Sequence, residues 1–229
     1  MRLYDGIDYQ KLAPHLDRIS WDNYPEWKSG DCVGTAVETA FVHDVFRSMK
    51  GGQPFFMMGS TPSNVNLHGV NKLPPPGLQT LAALQAVAHG ADSVQYFQWR
   101  KGRGGHEKYH GAVVDHCGHE HTRVFREVTE TGKVLQKLSC VVGERCSSKV
   151  AVIFDWENAW AVKDFCGFNN ERRDYAEECR HWYHPFWQRG VSVDVIPMDA
   201  DYTKYDLVIA PFLYMLNLLS LKLYPFVFN

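Results

Sequence analysis

Short apolar runs alternate along this chain with helical patterns, and the alternation predicts α/β architecture with parallel strands. The first run, around 16–21, leads into Ser20-Trp21-Asp22-Asn23-Tyr24-Pro25, where Pro25 breaks regular structure. A helical pattern over about 33–49 precedes Lys50-Gly51-Gly52, a helix stop, and a second strand is expected at 54–58. Leu81, Leu84, Gln85 and Ala88 recur at helical spacing within 78–89. Gly90 ends that helix before a third strand at 93–99, and a further helix is expected over 122–138.

Residues 139–149 contain Gly143 and Ser147-Ser148 and read as a linker. Val150-Ala151-Val152-Ile153-Phe154 is then a continuous apolar run of the kind that buried parallel strands carry. A helix at 169–188 and strands at 191–196 and 205–210 continue a βαβ-like, doubly wound series. The expected division is therefore a first domain over 1–138, a linker over 139–149 and a second α/β domain over 150–229.

Composition narrows the partners. The 229 residues are 45% hydrophobic and 22% charged, as in an ordinary globular protein. With 24 Lys and Arg against 26 Asp and Glu the net charge is −2, so no field of one sign points to nucleic acid or an anionic membrane surface. The six cysteines are scattered without a CxxC pair, and no apolar leader follows Met1. A reducing cytoplasm is the expected location. The apolar stretch 213–228 carries Asn217, Ser220 and Lys222 and falls short of the ~20 residues of a membrane helix.

Two clusters invite chemistry that their spacing does not support. Asp115-His116-Cys117-Gly118-His119-Glu120-His121 is rich in zinc-ligand types but fits no structural-zinc pattern. Lys101-Gly102-Arg103-Gly104-Gly105 lacks the GxxxxGK[ST] spacing of a phosphate loop. Asp155 and Glu157, paired at the end of the run at 150–154, read as structural or interfacial.

Five strings carry a more specific signal: SWDNYP at 20–25, STPSNVN at 60–66, LQAVAHGADSVQYFQWR at 84–100, EKYHGAVVDH at 107–116 and IFDWEN at 153–158. Through them, from about 17 to 215, the chain resembles the β-galactosidases of glycoside hydrolase family 42. The resemblance implies the C-terminal portion of a (β/α)8 TIM barrel, its sixth to eighth strands, followed by part of a flavodoxin-like domain used in trimer assembly. It also implies that the chain is a fragment, with both ends inside a longer family sequence and divergence over 216–229.

The implied chemistry is retaining hydrolysis of terminal non-reducing β-D-galactosides, without an organic cofactor or a metal. Such enzymes need one carboxyl group as nucleophile and another as acid/base. The resemblance places the nucleophile at position 59, where this chain has Gly59. The acid/base belongs to a part of the family sequence that precedes this chain, so the chain is expected to be inactive alone. Glu107 and His110 match the family's Glu-x-x-His that hydrogen-bonds galactose hydroxyls. Tyr24 matches a tyrosine beside the nucleophile, and Leu67 stands where the family usually has a sugar-stacking Trp. Trp21 and Trp99 are either pocket walls or core residues. The expected partners are a galactoside and, for the full-length parent, two further copies in a homotrimer; the rival expectation is a non-catalytic galactoside-binding or assembly remnant.

Overall fold

The computed structural model describes residue 3 and residues 5–25, 31–67, 69–167, 171 and 173–216. A short helix α1 (Tyr9–Leu12) and a 3-10 turn (Ala13–His15) lead into strand β1 (Ser20–Asn23). Helix α2 (Cys32–Ser48), strand β2 (Phe55–Ser60), helix α3 (Leu78–Ala88), strand β3 (Ala91–Tyr96) and helix α4 (Arg123–Lys137) follow. The second half runs β4 (Val150–Ile153), α5 (Trp156–Asp164), α6 (Tyr175–Gln188), β5 (Val193–Ile196) and β6 (Leu207–Ile209).

Both sheets are three-stranded and parallel, in the order β1-β2-β3 and β5-β4-β6. Period-two alternation explains how the first sheet packs. Phe55 and Met57 of β2 are buried on one face, while Met58, on the other, is half exposed. The buried face rests on α2, whose Val37, Phe41, Val45 and Phe46 are almost fully enclosed.

One apolar core runs through both halves. It joins Trp21, Phe41 and Phe46 of the first to Phe154, Trp156, Tyr183 and Val195 of the second. Within it sits a polar network centred on Arg47, only 2% exposed. Arg47 donates from Nε to Asp44 at 2.9 Å, from Nη1 to Asp194 at 2.8 Å and from Nη2 to the carbonyl of Val193 at 2.8 Å. The Tyr183 hydroxyl donates to the other oxygen of Asp44 at 2.6 Å, and the Tyr205 hydroxyl donates to Asp194 at 2.8 Å. Buried charge is tolerated here because each group has partners.

Several boundaries differ from the sequence expectation, each for a local reason. The first strand starts at Ser20 rather than 16, because the turn opened by Ala13 and Pro14 holds the Leu16 N–H on the carbonyl of Ala13 at 3.2 Å. The third strand ends at Tyr96 rather than 99, since the chain beyond it pairs instead with 113–114, through Val113 N–H to the Gln98 carbonyl at 2.9 Å and Val114 N–H to the Trp99 carbonyl at 2.8 Å. Helix α5 was not expected at all. Asp155 starts it, accepting from Asn158 N–H at 3.1 Å, and also accepts from Met198 N–H at the end of β5 at 3.4 Å. Glu157 pairs with Lys11 across the two halves. Helix α6 begins at Tyr175, capped by Asp174; residues 168–170 and 172 of the helix expected from 169 lie outside the described residues, as does most of the apolar stretch 213–228. Among the described residues no helix is long and apolar enough to cross a membrane.

Candidate active site

The C-terminal ends of β1, β2 and β3 point the same way, as parallel pairing requires, and the chemistry-bearing residues gather there. Asp22 is paired with Gly59 across the sheet, with an irregularity in register between Trp21 and Asp22. A Cβ built on Gly59 would overlap the carboxylate of Asp22, so the aspartate fills the space that a side chain at 59 would take.

Tyr24 follows two residues later and meets His110 edge-on, with ring centroids 5.6 Å apart. Phe97 meets the same imidazole at 5.1 Å. Burial, together with the negative charge of Asp22 and Glu107, pushes the Tyr24 phenol up to about 12, which keeps it a hydrogen-bond donor at neutral pH. His110 is 3% exposed, and its Nδ1 lies 3.0 Å from the carbonyl of Gly111. Glu107 belongs to an exposed 3-10 turn (His106–Tyr109). The strand ends thus bring together a phenol donor, two carboxylate acceptors and an imidazole, a set suited to a ligand of several hydroxyls.

The loop after β2 holds this turn in place. Asn64 donates its side-chain amide to the carbonyl of Tyr109 at 2.8 Å, and its own carbonyl accepts from Gly111 N–H at 2.6 Å. Asn66 donates to the carbonyl of His106 at 2.5 Å. A side chain at Gly111 would collide with the backbone of Asn64, so glycine there permits the close approach. These two asparagines belong to the STPSNVN string, but no sequence reasoning had given them a task.

The remaining expected residues separate. Trp21 is 8% exposed and stacks on Phe46 at 5.4 Å with edge contact to His43 at 5.1 Å, which places it in the core behind the sheet. Trp99 is 66% exposed and touches Phe125 edge-on at 6.3 Å. Leu67 is 68% exposed. Among the described residues no group of three or more His, Cys, Asp or Glu is placed to hold a metal ion. A cavity of about 340 Å³, lined by Phe41, Phe154, Trp156 and Tyr175, sits against the second half and holds none of these residues.

Carboxylates, a tyrosine and an imidazole gathered beyond the C-terminal ends of parallel strands are the arrangement of barrel-type enzymes. The chain belongs to the β-galactosidases of glycoside hydrolase family 42. The family model for β-galactosidase matches residues 1–138, and that for the β-galactosidase trimerisation domain matches 148–229. The chain is 54% identical over 218 residues to β-galactosidase Pbg of Clostridium perfringens, covering 94% of this chain and 31% of that protein. It is 45% identical over 216 residues to β-galactosidase GanA of Bacillus subtilis, covering 93% and 32%. Among solved structures, a catalytic mutant of the family 42 β-galactosidase Gan42B from G. stearothermophilus superposes with a TM-score of 0.92 at 46% identity, covering 96% of this chain and 32% of that one. The β-galactosidase from Rahnella sp. R3 gives 0.91 at 53% identity, covering 93% and 32%. The architecture is accordingly the C-terminal portion of a (β/α)8 barrel followed by part of an α/β domain, and the chain spans about a third of the length of the relatives it matches.

Proposed function

We propose that this chain carries the galactose-recognising face of a protein that acts on terminal non-reducing β-D-galactosides. The observation that carries the reading is the convergence of Tyr24, Glu107 and His110 beside position 59 at the strand ends. In this reading Glu107 and His110 hydrogen-bond sugar hydroxyls, Tyr24 donates toward the reacting face, and Trp99 offers an exposed ring for a sugar to stack on. Trp21 supports the site from behind. The parent reaction is the retaining double displacement, which needs a carboxylate nucleophile in contact with the anomeric carbon. Gly59 has no side chain to provide it, so the chain by itself hydrolyses no β-galactoside, aryl galactosides included.

The division at 139–149, the assembly of the full-length parent as a homotrimer through the region 148–229, and a reducing cytoplasmic setting complete the proposal. The trimerisation-domain match supports the second, and the six unpaired thiols support the third. No organic cofactor enters the chemistry. A non-catalytic galactoside-binding role is the second reading, favoured by Gly59 alone among the site residues.

The test pairs binding with turnover. Galactose is expected to bind the purified chain, seen as saturation-transfer signals that disappear in His110→Ala, while lactose stays intact over a long incubation. Absence of galactose binding, or binding unaffected in both His110→Ala and Glu107→Gln, sinks the assignment of the site.

A further inference from the structure

Asn64 and Asn66, in the loop after β2, make the same contact with two different residues. The side-chain amide of Asn66 donates to the carbonyl of His106 at 2.5 Å, and that of Asn64 donates to the carbonyl of Tyr109 at 2.8 Å. His106 is the residue before Glu107, and Tyr109 is the residue before His110. Each member of the Glu-x-x-His pair therefore has its preceding peptide group held by an asparagine of its own. Asn64 adds a second hold on the far side of His110, where its carbonyl accepts from Gly111 N–H at 2.6 Å. With both neighbours tied to one residue, the backbone at His110 has little freedom, and its ring meets Tyr24 and Phe97 edge-on.

The turn depends on such holds. Its own hydrogen bonds are Lys108 N–H to the Gly105 carbonyl at 3.5 Å and His110 N–H to the Glu107 carbonyl at 2.9 Å, and none of the residues His106–Tyr109 is buried. A short 3-10 turn is poorly held by bonds of this kind, and one left mobile must be ordered by its ligand, which weakens binding. The holding loop is itself braced. The Thr61 hydroxyl accepts from Ser63 N–H at 3.2 Å, and Pro62 fixes the backbone between them. The Asn66 amide oxygen is buried with no hydrogen-bond partner, a cost that the bond donated to His106 offsets.

We propose that Asn64 and Asn66 are positioning residues for galactoside recognition with divided tasks: Asn64 orients His110, and Asn66 orients Glu107. The inference rests on the galactoside reading given above. Neither asparagine is a ligand of the sugar in this assignment; each acts through the residue it anchors. The loop STPSNVN thereby links the strand that carries position 59 to the turn that holds the sugar.

The experiment uses the 229-residue chain with Asn64→Asp and Asn66→Asp, near-isosteric changes that set an acceptor against a carbonyl. Asn64→Ala and Asn66→Ala serve where the new charge unfolds the protein. Galactose affinity is measured by saturation-transfer titration. The orientation of His110 is read from its imidazole proton shifts, which the rings of Tyr24 and Phe97 displace, and the place of Glu107 from the alkaline titration of Tyr24, which its charge raises. The expected result is galactose binding weaker by at least about fivefold in either position's variants, at melting temperatures close to that of the parent chain. The His110 signals should move only in the Asn64 variants, and the Tyr24 phenol should come down from about 12 only in the Asn66 variants. A merely structural role in the loop moves both signals together in every variant, and that result overturns the inference, as does unchanged galactose affinity; either leaves the galactoside reading standing. A parent chain that does not bind galactose removes that reading, and the inference with it.

Discussion

Arg47 and Asp194 are joined at 2.8 Å across 147 positions of the chain, tying the helix behind the first sheet to an edge strand of the second. The guanidinium also holds Asp44, so its removal strands two buried carboxylates at once. Breaking a buried pair by removing one partner costs about 3 to 5 kcal/mol, because the remaining charge is left without compensation. Arg47→Met is expected to fall in that range, read from urea unfolding by tryptophan fluorescence. Arg47→Met combined with Asp44→Leu and Asp194→Leu should recover a large part of the loss; a single substitution with no effect would show that the two halves are not coupled through this residue.

His43 makes stability depend on pH in a separate window. It is completely buried in α2, neither ring nitrogen has a hydrogen-bond partner, and burial, then the neighbouring His89, lowers it from 6.5 to about 3. The folded protein thus keeps His43 neutral while the unfolded chain protonates it below 6.5. Its contribution is complete above 6.5 and is lost progressively as pH falls toward 3. Asp44 acts lower: burial opposes its charge, but the hydrogen bond from His89 and the charge of Arg47 outweigh this, and its carboxyl is held below 3.8. Its stabilisation is lost only as pH falls below that value. His43→Phe keeps a ring against Phe55 and Trp21 and forfeits no hydrogen bond. The variant should flatten the stability profile between about pH 6.5 and 4.5, measured by chemical denaturation at each pH, with little change at pH 7.

The sequence carried most of the elements because their signals are local. The caps and stops around α3 and α4, and the apolar run of β4, fall within a residue or two of expectation. Helix α5 escapes sequence reading because it is nine residues of mixed polarity whose only strong sign is the cap Asp155, and in sequence that residue also pairs with Glu157. In the site, Glu107, His110 and Tyr24 were legible through their strings, and their convergence was not, because it depends on loop closure by Asn64 and Asn66. Trp21 shows the limit of position along a strand: three residues before Tyr24 and beside Asp22, it is buried where Asp22 is exposed. The Arg47 network left no trace in the sequence, since a lone arginine in a helical pattern reads as a surface residue.

Asp155 separates a hydrogen-bonding role from a charge role. It accepts from Asn158 N–H and Met198 N–H, while burial raises its carboxyl above 3.8, so its charge is a cost and its acceptor oxygen is the gain. Asp155→Asn keeps an acceptor at the cap and should change stability by less than about 0.5 kcal/mol. Asp155→Ala should lose about 1 to 2 kcal/mol, the ordinary range for a removed N-cap. Thermal melts of the two variants at pH 7 check the order; equal losses would mean that the charge, not the oxygen, matters.

Tyr24 reports on the site directly. Its phenol is pushed up to about 12, first by burial and then by the charges of Asp22 and Glu107. Asp22→Asn removes the larger of the two charge effects and leaves the burial, so the phenol should move down from about 12 while staying above 10.0. Glu107→Gln should move it in the same direction by less. Carbon NMR of ring-labelled tyrosine across alkaline pH resolves the shift, with Tyr24→Phe identifying the resonance. Gly59→Glu provides the opposing case: the new side chain must displace the Asp22 carboxylate it would overlap, and it adds a third negative group beside the phenol. The double variant Gly59→Glu with Asp22→Asn should accept the glutamate more readily than the single one, seen as the higher melting temperature of the pair. An Asp22→Asn protein whose Tyr24 still titrates at about 12 would place the aspartate too far from the phenol to act on it.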